Sequence, residues 1–585
     1  MVSVGVMVKV FRRFIRKLKK NKRLRTIFFA TTGTLLTVIL IVTAAAILRA
    51  EDAKTFSIAV GEEFDTLDPA FCDSADCATV IACAFEGLMK YDEDGNVVPG
   101  QAVSYSVSED GLKYTFTISP EARWSNDTPV TAADFIYAWN RASDDEINPR
   151  YAYLFDNIAR TTESEMLKKD DDKKEDEQSE TEETVEEEVV EEEVVEEEIL
   201  YLEAEGKSTL VVHLEKADSA FLEKCAMPVF SPVCEEVATR QRQIWGYIHE
   251  VFVSNGPYVL TYWESGSYLT LGRNSEYPME KKVKPEVIKV YFTEDENEAF
   301  SLFNKGSVDY TTHIPADKLE KASKDNDFQS KCEYGTYYIG FNQKIKPFDD
   351  KNVRLALSLA IDRSKITEAV GEQYAQEANS ILSPAFTASD GEALNEKINT
   401  TFFASSTSYQ TNVEKAKQLL SKAGYPGDSK FPTVEYIYNE NEYHKKIAEI
   451  IVSCWKENLG INCVAKPLEW QKFDSDREGF NYTAVRCGAV SLCNDPASVL
   501  ENFTTQNNFF GWSDEGFDEA VFSLEKATDI TNRSTFAVRA QNILESESVV
   551  CPLYWYKRSY LVSDRLENYY VSPDGTAYFG STIKK

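Results

Sequence analysis

The alternation of apolar and polar positions marks out most of the elements. Lys113–Ile118 reads KYTFTI, the two-residue period of a strand with one buried face. Thr55–Val60, Leu210–Leu214, Tyr268–Leu271, Val287–Phe292 and Tyr337–Phe341 are further short β-rich runs. Thr55–Val60 is followed by a turn, Asp65-Thr66-Leu67-Asp68-Pro69. Ala78–Leu88 changes to helical spacing and meets Gly87 near its end. Thr131–Arg141 predicts a helix with a Thr cap, an early Asp134, and Phe135, Ile136 and Trp139 on one face. Val353–Ile366 and Glu442–Leu459 predict two more helices. Strands and helices mix irregularly, which suggests α/β lobes rather than a solenoid.

Two stretches break the pattern. Ile27–Leu48 is predominantly apolar, carries no charge and is 22 residues long. As a helix it would rise about 33 Å, enough to cross a hydrocarbon layer about 30 Å thick. Residues 1–26 before it hold ten Lys/Arg and no acid. This predicts a membrane anchor with a cytoplasmic N-terminus and the bulk of the chain outside. A signal peptide cleaved after Ala46 or Ala50 is the alternative, and it too exports the chain. The second stretch, residues 163–198, holds 20 Asp/Glu against four Lys and ends in VEEEVVEEEVVEEE. A five-residue quasi-repeat matches neither a helix face nor a strand face, and dense like charge repels. It reads as an insertion in a surface loop.

Composition then narrows the function. Apolar residues make up 43% of the 585, enough for large cores. The net charge of −33 argues against a nucleic-acid partner, which needs a basic face. With the basic and acidic blocks set aside, the remainder carries −27. Eleven cysteines permit disulfides in an exported chain; Cys225/Cys234, Cys454/Cys463 and Cys487/Cys493 are the near pairs, and buried thiols are the other reading. No CxxC occurs and the four His lie far apart, so no metal site is expected. GxSxG, GxxxxGK[ST], HExxH and GxGxxG are all missing, so no enzyme and no cofactor are expected.

The recognition motifs are more specific. Trp124-Ser125-Asn126-Asp127-Thr128-Pro129-Val130-Thr131-Ala132-Ala133-Asp134-Phe135 leads into Trp139 and Arg141. Leu67-Asp68-Pro69 precedes Ala84-Phe85-Glu86-Gly87-Leu88. Ser254-Asn255-Gly256-Pro257-Tyr258 is followed by Arg273-Asn274. Gly340-Phe341-Asn342, Pro347-Phe348, Val353-Arg354 and Ala360-Ile361-Asp362-Arg363 come next, then Leu419–Tyr425 and Trp455…Leu459-Gly460-Ile461. In this order and spacing the chain resembles the peptide-type solute-binding proteins of ABC importers, the periplasmic oligopeptide-binding proteins, over residues 55–580. By themselves Trp124, Arg141, Gly256, Asn342 and Asp362 are more often scaffold than ligand contact.

The resemblance implies an α/β, two-lobed periplasmic-binding-protein fold of the large peptide-binding type, with an extra domain on the first lobe and a two-strand hinge. Lobe I would comprise 52–88, 207–291 and 558–585. The extra domain would be 89–206, with the acidic insertion inside it, and lobe II would be 292–557. The expected partners are a peptide ligand, an ABC permease and ATPase complex, and the membrane through the N-terminal helix; the protein itself is expected to be a monomer.

The resemblance also supplies site residues. Trp470 matches an aromatic that lines the cleft and Arg486 an arginine of the pocket. Tyr153 matches a tyrosine near the pocket, and Asp73 lies in a segment matching a cleft-facing stretch. The family's aspartate for the peptide ammonium falls on Leu492, and its neighbouring Trp on Ala489. Leucine cannot pair with an ammonium. Either Asp73, Asp76 or Asp495 supplies the charge, or the ligand is N-blocked or not a peptide, or the fold serves as a receptor without import.

Overall fold

A computed structural model describes residues 54–162, 198–278, 283–388, 390–398, 409–426, 431–527 and 529–585. The basic run, the apolar run 27–48 and nearly all of the acidic stretch lie outside the described residues. Among the described residues no helix is long and apolar enough to cross a membrane.

One large sheet passes through both lobes. Its order is Tyr258–Glu264, Tyr268–Arg273, Val287–Phe292, Thr55–Val60, Tyr310–Thr311, Val550–Val562, Phe328–Phe341, Ala484–Val490, Val434–Asn439 and Cys463–Leu468. Thr55–Val60 runs parallel to its two neighbours, as does Val434–Asn439 to its own. Between these parallel blocks lie two long antiparallel strands, Phe328–Phe341 and Val550–Val562. They carry the chain from one lobe to the other. Their register shifts between Cys332 and Thr336 and again at Tyr337/Tyr338. The run expected at Tyr337–Phe341 is only the end of a 14-residue strand.

A separate four-stranded sheet builds the extra domain in the order Ala102–Val107, Lys113–Ile118, Thr209–His213, Leu202–Glu205. Thr209–His213 completes it, so this sheet extends past residue 206, where the expected boundary ends the domain. Its buried face shares one core with lobe I, including Phe116, Trp139 and Phe56. Lobe II has two cores, one on each face of its sheet, around Trp455 and around Phe517.

Local chemistry sets the helix ends. Thr131 and Asp134 form a reciprocal capping box, with the helix running Ala132–Ala142. Glu442–Leu459 matches its expected span; Asn441 caps its start and Gly460, at φ 67°, turns the chain out of it. Two spans are corrected. The helix expected at Ala78–Leu88 is Ala75–Ala84, because the Ser74 side chain accepts from the Cys77 amide and starts it earlier. The helix expected at Val353–Ile366 is two, Lys351–Leu359 and Arg363–Val370. Arg363 is buried with its guanidinium donating to the carbonyls of Ser358 and Pro552, and that turn interrupts the ladder. All eleven cysteines are thiols, ten of them buried. Among the described residues no three His, Cys, Asp or Glu are grouped to hold a metal.

Candidate functional site

A cavity of about 540 Å³ opens between the lobes. The extra domain supplies Tyr153 from the short turn Ala152–Phe155. Asp218 and Lys224 bracket the next contribution, the short helix Phe221–Lys224. The second lobe supplies Leu492, Cys493 and Asp495, just past the end of Ala484–Val490, together with Glu501 and Glu525. Carboxylates outnumber ammonium groups on these walls. Lys216 and Lys224 face Asp156, Glu215, Asp218, Asp495, Glu501 and Glu525.

Burial governs how these groups ionise. Asp495 is 6% exposed and caps the helix Pro496–Leu500 by accepting from the Ala497 amide at 3.0 Å. Burial pushes its carboxyl up, with Lys224 and Arg533 opposing and Asp218 adding to the shift. Burial also raises Glu501 and Glu525. Burial disfavours the Asp218 anion too, but the Lys224 ammonium at 2.7 Å outweighs it and holds that carboxyl low. Behind them lies a buried ion pair between the lobes: Arg533 Nη1 reaches both Glu223 carboxylate oxygens at 3.0 Å.

Further back along the same strand stands Arg486. On Ala484–Val490 the residues alternate, so Val485, Cys487 and Ala489 are buried while Arg486, Gly488 and Val490 occupy the open face. The Arg486 guanidinium lies 5.2 Å from the centre of the Tyr337 ring. Its Nε is buried without a hydrogen-bond partner, and among the described residues no carboxylate pairs with it. The Tyr337 ring, stacked on Tyr554 with centroids 5.0 Å apart, offers the cation its negative face, and the Tyr556 side chain hydrogen-bonds the guanidinium. His444 Nδ1 is 3.4 Å from the Tyr337 hydroxyl. Burial and the nearby Arg486 charge push its imidazole down to about 4, so it is neutral at pH 7. A Cβ at Gly488 would come 2.9 Å from the Tyr556 hydroxyl, so glycine is what lets that ring approach the strand.

Tyr153, Leu492 and Asp495 therefore meet around one cavity, and Arg486 stands on the strand leading to it. Trp470 lines no part of that cavity. It is 57% exposed at the start of the helix Trp470–Glu478, with its ring 5.9 Å from Phe473. Asp73 is exposed in the loop before Ala75–Ala84 and also lies off the cavity. Asp76 is engaged elsewhere, accepting from the Gly61 amide at 2.9 Å and lying 2.7 Å from His313 Nε2. Burial opposes both charges of that pair, yet their contact lowers the Asp76 carboxyl and raises His313. Sequence reasoning missed Asp218, Glu223, Lys224, Arg533 and His444. None sits in a spacing motif, and only the fold brings them together.

The comparisons agree with this architecture. Dipeptide-binding protein DppE of Bacillus subtilis is 29% identical over 495 residues, 84% of each chain. Oligopeptide-binding protein OppA of the same organism is 27% identical, covering 91% of this chain and 93% of its own. The unliganded open form of the murein tripeptide-binding protein MppA superposes with a TM-score of 0.76 at 26% identity, covering 91% of this chain and 97% of its own. Residues 96–511 match the middle region of the bacterial extracellular solute-binding proteins, family 5, and the chain belongs to that family.

Proposed function

We propose that this protein captures peptides outside the membrane and delivers them to an ABC permease. It acts by binding and lobe closure, with no covalent chemistry. The carrying observation is the polarity of the space between the lobes. One part is lined by carboxylates, Asp495 and Asp218 among them, and suits an ammonium. Further back along the strand stands Arg486, an arginine with no carboxylate partner among the described residues. The six steps from Arg486 to Leu492 span at most about 20 Å at ~3.3 Å each, the scale of a short extended peptide. The peptide names carried by DppE and OppA support the same ligand class. The apolar run 27–48 would tether the protein to the outer face of the membrane.

Calorimetric titration with short free-ended peptides tests this reading, and micromolar or tighter binding is expected. Amidating the peptide C-terminus should weaken it through loss of the Arg486 contact. Flat titrations with peptides, alongside a response to another solute class, would reject the assignment. Leu492 favours a second reading, in which the amine is blocked. It is half-buried and packs against the first lobe's core, so no charge stands at that position. Equal affinity for acetylated and free peptides would select it.

A further inference from the structure

The space between the lobes is not one room. Beside the acid-lined cavity lies a second of about 650 Å³, walled by Tyr91, Tyr105, Tyr334 and Tyr570 with Lys331 and Ala385 at its edge. Ser219 lines both. An ion pair drawn from both lobes, Glu223 with Arg533, lines the second cavity and not the first. Arg533 Nη1 donates to the Ser219 carbonyl at 2.8 Å and to both oxygens of Glu223. Its Nη2 donates to the Asn494 carbonyl. The two charged side chains are only 7% and 10% exposed. Asn494 faces the aromatic chamber, while its neighbours Cys493 and Asp495 face the acidic one.

We propose that the Glu223–Arg533 partition is a specificity-determining wall that stops a bound peptide at its N-terminal end and keeps the aromatic chamber out of reach. This rests on the peptide reading above, with the ammonium in the acid-lined chamber. A peptide extended at that end must displace a buried, mutually neutralised pair, and leaving either charge unpaired is costly. Extension at the other end leaves that pair alone and only shifts the terminal carboxylate from Arg486. The wall therefore discriminates by where residues are added, not by their side chains. Once the wall is gone, the tyrosines of the second chamber offer stacking surface to the added residues.

Calorimetry on one C-terminally amidated parent peptide, and on the same amidated peptide with two glycines added at either end, tests the wall, because amidation takes the Arg486 contact out of the comparison. Wild type should lose at least about tenfold in affinity on N-terminal extension and change little on C-terminal extension. The charge-balanced double variant E223A/R533A should cut the N-terminal discrimination below about threefold. E223Q/R533Q, which keeps the volume and can still hydrogen-bond, should retain most of it. Adding A385W to the alanine double variant should restore discrimination by filling the second chamber. A385W alone should leave the parent affinity unchanged, and this arm does not depend on the double variant folding. Equal wild-type affinities for parent and N-terminally extended peptides would overturn the wall, as would a folded E223A/R533A that still discriminates. A loss of parent affinity in A385W alone would also overturn it, since the ligand would then already occupy the second chamber. If no peptide of the series binds wild type, the peptide reading fails and the wall with it; length-independent binding removes the wall alone.

Discussion

The acid-lined cavity and the strand behind it handle charge in opposite ways. At the acidic end the strong pairs are already made: Asp218 with Lys224 at 2.7 Å, and Glu223 with Arg533 at 3.0 Å. Along that strand Arg486 has the Tyr337 ring, the Tyr556 hydroxyl and a neutral His444 near it, and no carboxylate partner among the described residues. A buried pair is neutralised by its own chain, so breaking it damages the fold first. A cation left among aromatics is completed by whatever anion arrives, so removing it damages binding first. The same residue type therefore predicts different losses at its two positions.

The largest effect expected is on stability at the paired end. E223A leaves Arg533 buried and uncompensated and should cost about 3–5 kcal/mol in denaturant unfolding. E223A/R533A should cost clearly less than the sum of the two single variants. Strict additivity would mean that the pair is not coupled and would erase the contrast. At the unpaired end, R486M should leave the unfolding midpoint nearly unchanged while weakening free-acid peptides about 100-fold, roughly 2.7 kcal/mol. It should barely affect amidated peptides. An unfolding shift as large as that of E223A would show Arg486 to be structural.

L492D comes next. If the ligand carries a free amine, the new carboxylate should tighten binding about tenfold, with no gain for acetylated peptide. Weaker binding of both would show the position to be packing only.

The smallest effect is in the histidines, whose signs differ. Folding lowers His444 to about 4, so between there and the unfolded value near 6.5 the unfolded chain holds the extra proton. That contribution to stability is complete above about pH 6.5 and is lost as pH falls toward 4. His313 is raised by Asp76, so its contribution is complete below about pH 6.5 and is lost as pH climbs through its raised value. Imidazole proton shifts in NMR should titrate on opposite sides of 6.5, and two coincident titrations would refute the assignment.

Much of this was legible in the chain. The alternation in KYTFTI and the helical spacing of Glu442–Leu459 report a single buried face each, which local period encodes well. The motif order predicted the two-lobed family fold before any contact was known. The partition was not legible. Glu223 and Arg533 are 310 residues apart, and each reads alone as an ordinary surface charge on a helix. The break at Ala360–Asp362 was hidden for the opposite reason. Its apolar spacing continues without interruption, and only the carbonyls that receive the Arg363 guanidinium reveal the turn. Trp470 and Asp73 were named by resemblance. Neither lies on the cavity's walls, because a motif match carries identity without side-chain direction.

The two long strands joining the lobes have a mechanical consequence. Because Phe328–Phe341 and Val550–Val562 are paired on both sides of the crossing, the lobes are not swung on a loose tether. They are mounted on a ribbon, and two-stranded ribbons accept twist more readily than wide sheets do. The register shift after Cys332 leaves the ribbon least stitched at mid-span. Opening and closing would then be a change of pitch concentrated over a few residues. The stiffness of that short span, as much as any contact with the ligand, would set how fast the jaws meet and part.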